Sequence, residues 1–570
     1  MKTAPSPRRW LQRCGCPWAV AALGAAALAA VWLRIDGLGY GLPHTFNSDE
    51  PHIINLAASF GSGSLKPYSF KYPTLWPTLL FLCYGVYFAV WSGLGMLRSV
   101  ADFAGLFAWE PTGFYLIGRA LSTLFGLLGL AVVWRTEREL RADSGLPWAA
   151  LLLAAAPIMI ESSHAAKPDM AMFFFAAVAW YAAVRVFREG GRVWYWVCGG
   201  ALGLGMSTQY TALASAVLLP LAHVLRRQAS PFGDRENAKN AMPGAVLFEG
   251  MAAGALGFIA GSPYILLDFP RFWAAMRDFS ALAGIREKSL GEIALMVHLN
   301  VWNFAGAGSI AGLAVVVGAA ACWRRDRRLA ILLLGPIAAY TASLSTHPDG
   351  SWMRYLLGCF PGIALLAGEG LAAAARLGRA ATGLALVLAL GPGIYICFRH
   401  NGEISLPDTR TLGTEWVEKN IPSGTVLLMD YPHACPRLVM AKEQASELEA
   451  KTKAEGSPRW RLYAAMERSH PGGGYRIYRI RRAATDLRSN PEHVRVSQAE
   501  TATLDVSAGL GAALAARVSF VVVSSHGATP ERSPDLKGFF DELERKGTLA
   551  VEFAPVPRRL RGPHLRIFRL

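Results

Sequence analysis

Apolar residues fall into long continuous runs between residues 17 and 398, and beyond that point the runs stop. A bilayer core of about 30 Å is crossed by a helix of about 20 apolar residues, which is the length of most of these runs. From residue 399 onward the apolar runs are short and charged residues are frequent. The pattern therefore predicts a polytopic α-helical membrane domain over 1–398 and a small, soluble α/β domain over 399–570.

Clusters of Lys and Arg separate the apolar runs, and such clusters mark cytoplasmic loops. With every cluster placed inside, the chain has about 11 spans, a cytoplasmic N-terminus and an extracytoplasmic C-terminal domain. The predicted spans are 17–33, 113–134, 146–161, 169–187, 193–208, 209–225, 244–262, 299–323, 329–345, 354–373 and 380–398. The longer segments between them, including 34–73, 162–168 and 346–353, then lie outside.

One apolar run, 75–97, does not fit this count, because as a span it would place the basic segment 135–141 outside. We predict that this run is re-entrant or lies at the membrane interface. The alternative is an additional span that breaks the charge rule, since the rule is statistical.

Composition narrows the class of protein and its partners. Hydrophobic residues make up 53% of the chain and the mean hydropathy is +0.28, which excludes an ordinary soluble enzyme. The net charge of +16 would suit nucleic acid, but the Arg clusters lie at the ends of apolar runs rather than on one compact face. We therefore predict membrane lipids, and no nucleic acid, as partners. The predicted location is the cytoplasmic (inner) membrane of a bacterial type of cell.

The first outer loop contains an acidic pair, Asp49 and Glu50, just before a short helix predicted to start near Pro51. Acidic residues near a helix N-terminus are common because they complement the helix dipole. A carboxylate close to the membrane surface is also suited to act as a general base. The pair can in addition hold a divalent cation, with Asp169 as a further ligand. No other cofactor is indicated.

Two outer segments place a cation beside a tyrosine at the start of an apolar run: Lys71 with Tyr72, and Arg354 with Tyr355. A lysine that snorkels to the interface, or an arginine that anchors a helix end, is ordinary at such positions. At the same depth Lys binds a lipid-linked phosphate as a point charge, and Arg binds two phosphate oxygens. We group these four residues as candidates for binding a donor phosphate.

The outer loop 162–168 brings His164 and Lys167 close to Asp169 between two apolar helices. Ionisable groups at membrane depth are costly, so they usually line a polar cavity and mark a functional site. The alternative is a solvated turn in which the aspartate starts a helix. Arg119, inside an apolar run, needs a partner that the sequence does not identify. We predict that Asp169 acts with the acidic pair and that His164, Lys167 and Arg119 line the cavity.

The order of these motifs resembles that of the GT-C glycosyltransferases related to the protein O-mannosyltransferases and the aminoarabinose transferase of lipid A. The motifs are the acidic pair, KYP at 71–73, the segment around Arg119 and HAAKPD at 164–169, followed by 354–368 and 408–427. The resemblance implies a GT-C-like fold, a polyprenyl-phosphate sugar donor and an outward-facing cavity. It also implies an acidic first-loop residue as base, here Asp49, and a basic residue on the lipid phosphate, here Lys71.

Residues and resemblance together predict a membrane glycosyltransferase that acts on the outer face. It moves a sugar from a polyprenyl-phosphate donor to a hydroxyl of a glycan, lipid or protein acceptor, with inversion and with Asp49 as base. The alternative is a transporter or flippase of a lipid-linked sugar, which also uses charged groups inside a polytopic bundle. Transporters often contain internal repeats, and none is evident in this sequence.

The soluble tail has a pattern typical of a small α/β domain. Its predicted helices are 411–420 and 535–546, and its predicted strands are 425–429, 518–524, 549–553 and 565–568. The stretch 441–490 is polar and basic, and we predict no regular element there. PGGG at 471–474 indicates a loop.

Overall fold

The computed structural model describes residues 17–141, 146–227, 244–282, 309–345, 353–481 and 501–570, with 289, 291–292, 295 and 304–306 between them. The chain forms two compact units. Unit 1 comprises the residues up to Leu38, Ile53–Phe81 and Ile117–Asn401, and unit 2 comprises Gly39–His52, Leu82–Leu116 and Gly402–Leu570. The last segment starts near the predicted boundary at 398/399, but two earlier segments also belong to unit 2.

Helices account for nearly all of the described chain before residue 405. They are α1 (Pro17–Ile35), α2 (Glu50–Ser59), α3 (Leu75–Gly93), α4 (Val100–Trp109), α5 (Thr112–Leu140), α6 (Trp148–Ala154), α7 (Pro157–Ser163), α8 (Asp169–Arg188), α9 (Arg192–Thr208), α10 (Leu218–Arg227), α11 (Gly244–Gly261), α12 (Tyr264–Leu267), α13 (Phe269–Leu282), α14 (Ala311–Arg325), α15 (Arg327–Ser345), α16 (Phe360–Ala375) and α17 (Arg379–Ile404). Tighter 3₁₀ segments occur at Phe60–Ser62, Tyr210–Val217 and Met353–Cys359.

Six helices in the described part of the chain are long and apolar enough to cross a membrane. They are Leu75–Gly93, Thr112–Leu140, Asp169–Arg188, Gly244–Gly261, Arg354–Ala375 and Arg379–Ile404. The protein is therefore an integral membrane protein with many helices, as its apolar pattern predicted. The count of about 11 spans and the side on which each end lies stay predictions.

Most predicted spans coincide with one helix, but several differ in detail. The span 146–161 is divided into α6 and α7, because Pro157 starts α7 and has no N–H to continue the preceding helix. The spans 209–225 and 354–373 both begin as 3₁₀ segments before their α-helices. The span 299–323 begins outside the described residues and is represented by α14.

Basic clusters that were predicted to share the cytoplasmic side lie together at one end of unit 1. Arg185 Nη1 is 3.3 Å from Glu139 Oε1, at the ends of α8 and α5. Arg325, at the end of α14, donates to both carboxylate oxygens of Glu369 at 3.0 Å. Arg141 Nε lies 3.6 Å from Glu369 Oε1 and links the two groups. The side of the membrane on which this end lies stays a prediction.

Helix α3 runs antiparallel to the first half of α5. The ring centroids of Trp76 and Phe125 are 6.0 Å apart, and further along α3 those of Tyr84 and Phe114 are 5.0 Å apart. Trp76 Nε1 donates to Ala166 O at 3.3 Å, so α3 starts at the turn between α7 and α8. Its length and composition fit a span, and whether it crosses the membrane, is re-entrant or lies at the interface stays a prediction.

Glycines set the close packing of α9 against α11. A Cβ on Gly199 would lie 1.8 Å from Gly250 O, and a Cβ on Gly203 would lie 1.9 Å from Gly254 O. Only glycine lets two helix backbones approach this closely, a common device of membrane helices. A Cβ on Gly200, in contrast, would meet nothing within 4 Å. This contact was not predicted from the sequence.

Unit 2 contains a mixed six-stranded sheet. Its strands are β1 (Val426–Met429), β2 (Arg476–Ile480), β3 (Thr503–Leu504), β4 (Phe520–Ser524), β5 (Thr548–Phe553) and β6 (Leu565–Arg569), and its helices are α18 (Thr409–Asn420), α19 (Lys442–Ala454), α20 (Trp460–Arg468), α21 (Gly511–Ala515) and α22 (Lys537–Lys546). The order is β3-β2-β1-β4-β6-β5, in which β1 to β4 are parallel and β6 is antiparallel to both neighbours. Because β2 and β4 lie on opposite sides of β1, the strand order reverses there.

The predicted helices and strands of the tail coincide closely with α18, α22, β1, β4, β5 and β6. The stretch 441–490 was predicted to lack regular structure, which was wrong for its described part, because α19, α20 and β2 lie there. Helix α19 has a strongly polar sequence, but it buries Ala445, Leu448 and Thr452 at helical spacing. Such a narrow buried stripe is hard to detect among charged residues.

Candidate functional site

The turn 164–169, between α7 and α8, is fixed by α5. Ser122 Oγ, on α5, lies 2.7 Å from Ala165 O and 3.1 Å from Lys167 O, so one hydroxyl contacts two backbone acceptors of the turn. Buried carbonyl groups need such partners, and here a side chain supplies one. The positions of the ionisable residues in this turn are therefore set by the helix beneath them.

Lys167 and Asp169 lie side by side in this turn, and the cavity that they were predicted to line stays a prediction. Lys167 Nζ lies 3.8 Å from Asp169 Oδ2, a long ion pair. Asp169 is the first residue of α8 and is 3% exposed, and its Oδ1 has no hydrogen-bond partner among the described residues. A buried acceptor in this state is costly unless a bound molecule or water donates to it. The functional role of Asp169 stays a prediction.

His164 and Arg119 belong to the same buried region. The rings of His164 and His400 are stacked, with centroids 5.8 Å apart and planes 12° apart. Burial lowers the pKa of His164 to about 4, and the positive charges of His400, Arg119 and Arg34 act in the same direction. The His164 imidazole is therefore neutral at pH 7. Arg119 is fully buried, and its Nη1 donates to Leu38 O at 2.8 Å.

Several polar residues of this region were not predicted from the sequence. Arg34 is fully buried, and its Nη1 donates to Ala154 O at 3.3 Å. Asn401 Nδ2 donates to Leu33 O at 3.0 Å, which ties the end of α17 to the end of α1. Both residues lie at the end of a long apolar run, where we had assigned only a helix end. A run of polar residues such as Arg-His-Asn directly after a span is a signal that could have identified them.

Lys71 and Tyr72 lie in a segment that distant parts of unit 1 hold in place. Tyr210 O–H donates to the carbonyl of Phe70 at 3.2 Å, immediately before Lys71. Lys71 itself is exposed, and its Nζ lies 5.7 Å from the centroid of the Tyr72 ring. An ammonium on a fixed backbone at the edge of an apolar helix suits recognition of a phosphate.

Arg354 and Tyr355 are half-buried at the start of the fifth candidate span. The Arg354 guanidinium lies 5.1 Å from the centroid of the Tyr355 ring, and its Nη2 is 3.3 Å from the Tyr355 hydroxyl. The outer loop 346–352 that precedes them lies outside the described residues. The pair is a second cation beside a tyrosine in unit 1, as predicted.

Asp49 and Glu50 belong to unit 2, whereas all the other predicted site residues belong to unit 1. Asp49 is half-buried, and its N–H donates to Asn47 Oδ1 at 3.0 Å. Glu50 is fully buried and starts α2, one residue before the predicted start. Each unit thus carries a part of the predicted set: the acidic pair in one, and Asp169 with the cations in the other.

Within the described part of the chain, no three His, Cys, Asp or Glu side chains are grouped so that they could hold a metal ion. A divalent cation at Asp49, Glu50 and Asp169 stays a prediction from the sequence.

Comparisons with known proteins add to this geometry. The family model "Dolichyl-phosphate-mannose-protein mannosyltransferase" matches residues 116–231, which is less than half of the chain. The crystal structure of ArnT from Cupriavidus metallidurans bound to undecaprenyl phosphate is similar with a TM-score of 0.54 at 13% sequence identity. The match covers 96% of this chain and 97% of that chain.

The chain has the GT-C glycosyltransferase fold. The predicted resemblance to this superfamily is thereby confirmed, and a membrane glycosyltransferase is supported at that level. The apo crystal structure of the same ArnT gives a TM-score of 0.52 at 13% identity and the same coverage. An oligosaccharyltransferase from Archaeoglobus fulgidus is also similar at 13% identity, with a TM-score of 0.46, over 95% of this chain and 72% of that chain. No curated protein sequence matches this chain significantly.

Proposed function

We propose that the protein transfers a sugar from a polyprenyl-phosphate carrier to an acceptor hydroxyl on the outer face of the cytoplasmic membrane. The observation that most supports the proposal is the likeness in fold to ArnT, which extends over 96% of the chain. That ArnT was crystallised with undecaprenyl phosphate bound. Such a lipid phosphate is the leaving group that the proposed reaction releases.

In the proposed reaction the acceptor oxygen attacks the anomeric carbon from the side opposite the phosphate. The acceptor proton passes to the Asp49 carboxylate, and the bond between the anomeric carbon and the phosphate oxygen breaks. Its electron pair stays on the lipid phosphate, where Lys71 and Arg354 stabilise the added negative charge. The anomeric centre is inverted. Asp169 accepts a hydrogen bond from a substrate hydroxyl and orients it.

The purified protein in detergent is expected to form a covalent glycoside from a lipid-phosphate sugar and a membrane-extract acceptor. Mass spectrometry of donor, acceptor and product measures the transfer directly. A transporter or flippase would move the donor across vesicle membranes and form no covalent product. If the donor moves across vesicle membranes and no glycoside forms in either assay, the transporter or flippase replaces the proposed function.

Lys71→Met is expected to raise the KM for the donor about tenfold to a hundredfold, because a charged contact to phosphate contributes about 1.5–3 kcal/mol. Methionine keeps the apolar stem and removes only the charge. The KM for the acceptor should stay within a factor of about two. Initial rates against donor concentration measure the change.

Lys66→Met is the matched control, because Lys66 precedes Lys71 in the same loop but pairs with Asp268 at 3.0 Å. It should leave the donor KM unchanged. An unchanged donor KM in Lys71→Met as well would remove Lys71 from the phosphate site.

A further inference from the structure

The segment that leads to Asp49 is held by residues of the soluble tail. Arg410, in the first turn of α18, is 3% exposed, and Nε and Nη2 donate to the two oxygens of Asp408 at 2.8 Å. Its Nη1 donates to His433 O at 2.6 Å. All three guanidinium nitrogens are therefore engaged, and the plane of the group is fixed.

The fixed face of Arg410 covers the ring of Phe46. The guanidinium carbon lies 3.6 Å from the centroid of the Phe46 ring, a close cation–π contact. Arg561 Nε lies 3.5 Å from Asp408 Oδ2. The guanidinium carbon of Arg561 lies 5.7 Å from the centroid of the Phe46 ring. Asp408 thus holds two guanidinium groups that both contact one aromatic side chain. We call Asp408, Arg410 and Arg561 the arginine clamp.

The residues before Phe46 are packed closely against Phe46 and against Arg437. Gly41 has φ +72°, and a Cβ there would lie 2.5 Å from the Phe46 ring. Arg437 Nη1 donates to Pro43 O at 3.2 Å. His44 lies among these cations as a neutral imidazole, because burial first, and then Arg437 and Arg410, lower its pKa to about 4. Contacts with the Phe46 ring and with Arg437 therefore fix the backbone from Gly41 to Phe46.

The arginine clamp lies at the part of the sheet where open α/β folds bind ligands. Ligands bind beyond the carboxyl ends of parallel strands where the strand order reverses, which in this sheet is between β1 and β4. Arg410 donates to the backbone carbonyl of His433, which follows β1. Burial first, and then the charge of Arg410, lower the pKa of His526, which follows β4. The position that holds a ligand in related architectures here holds a segment of the same chain.

We propose that the arginine clamp positions the proposed base: by fixing Phe46 it sets the place of Asp49, three residues further on. Asn47 continues the connection, because its Oδ1 accepts the N–H of Asp49 at 3.0 Å. The clamp residues are positioning residues and take no part in bond making. The proposal rests on the proposed function, in which Asp49 takes a proton, because misplacing such a group by about 1 Å costs on the order of a hundredfold in rate.

The test uses the full-length protein in detergent. Phe46→Ala leaves the Asp408–Arg410 pair intact and removes its aromatic partner, and it is expected to lower kcat about tenfold to a hundredfold with an unchanged donor KM. Phe46→Tyr keeps the ring and should retain activity. A lysine at position 410 cannot both donate two hydrogen bonds to Asp408 and cover the Phe46 ring, so Arg410→Lys should lower kcat as Phe46→Ala does. The double variant should lower kcat no more than either single variant.

Hydrogen exchange of 39–52 gives a readout that does not depend on activity. In Phe46→Ala this segment should exchange faster while the melting temperature of the protein stays within a few degrees of wild type. Unchanged exchange with unchanged kcat would overturn the clamp, even if wild type transfers sugar as proposed. A wild type without transfer activity would instead reject the proposed function, and the exchange result would still decide whether the clamp holds the segment.

Discussion

Asp49→Asn is expected to lose about a hundredfold to ten-thousandfold of the transfer rate, the usual contribution of a general base. Asparagine has nearly the same shape as aspartate, so folding and donor binding should be retained. Its amide is not basic and cannot take the proton from the acceptor hydroxyl. Single-turnover rates with purified protein, together with the donor dissociation constant, separate the chemical step from binding.

Glu161→Gln is the matched control for Asp49→Asn, because Glu161 is an exposed carboxylate at the end of α7. It should keep the wild-type rate. Glu50→Gln tests the other member of the acidic pair, which is fully buried at the start of α2. A wild-type transfer rate in Asp49→Asn, together with a reduced rate in Glu50→Gln, would assign the role of base to Glu50 instead of Asp49.

Gly203→Ala is expected to destabilise unit 1 by roughly 3 kcal/mol or more, because overpacking costs 1–3 kcal/mol even where side chains can adjust. The added methyl group would lie 1.9 Å from Gly254 O, a backbone atom that moves only with its helix. Fluorescence-detected chromatography after heating should show a melting temperature several degrees lower, or little folded protein. The sugar-transfer chemistry is not involved.

Gly200→Ala is the matched control, since its methyl group would meet nothing within 4 Å on the same helix. Alanine also has the higher helix propensity, so a neutral or slightly positive effect is expected. Equal melting temperatures for Gly200→Ala and Gly203→Ala would show that α9 and α11 do not rely on the glycine contact.

The sequence predicts the membrane helices well because their main determinant, a long apolar run, is local. It predicts their internal breaks poorly. The tightening of the backbone into 3₁₀ geometry at Tyr210–Val217 and at Met353–Cys359 depends on what each segment packs against, and neither stretch contains a proline that marks it. The strands of unit 2 were similarly visible as short apolar runs, whereas the polar helix α19 was not.

The candidate site was predictable only in part for the same physical reason. Lys167 and Asp169 are neighbours in the chain, and their ion pair could be expected from the cost of charge at membrane depth. The stacking of His164 on His400 joins residues far apart in sequence, and neither carries a pattern that points to the other. The contact of Arg410 with Phe46 is of the same kind. Identifying such pairs from sequence needs many related sequences or a structure.

The composition of unit 2 has a consequence for biosynthesis. Its segments Gly39–His52 and Leu82–Leu116 leave the ribosome early, but the sheet that completes the unit is made only after all of 117–401. Phe46 therefore lacks its partners Arg410 and Arg561 while the later membrane helices are inserted. The tail synthesised alone would also lack helix α4, whose Trp109 Nε1 donates to Met466 O at 3.2 Å. An excised tail is thus an incomplete folding unit.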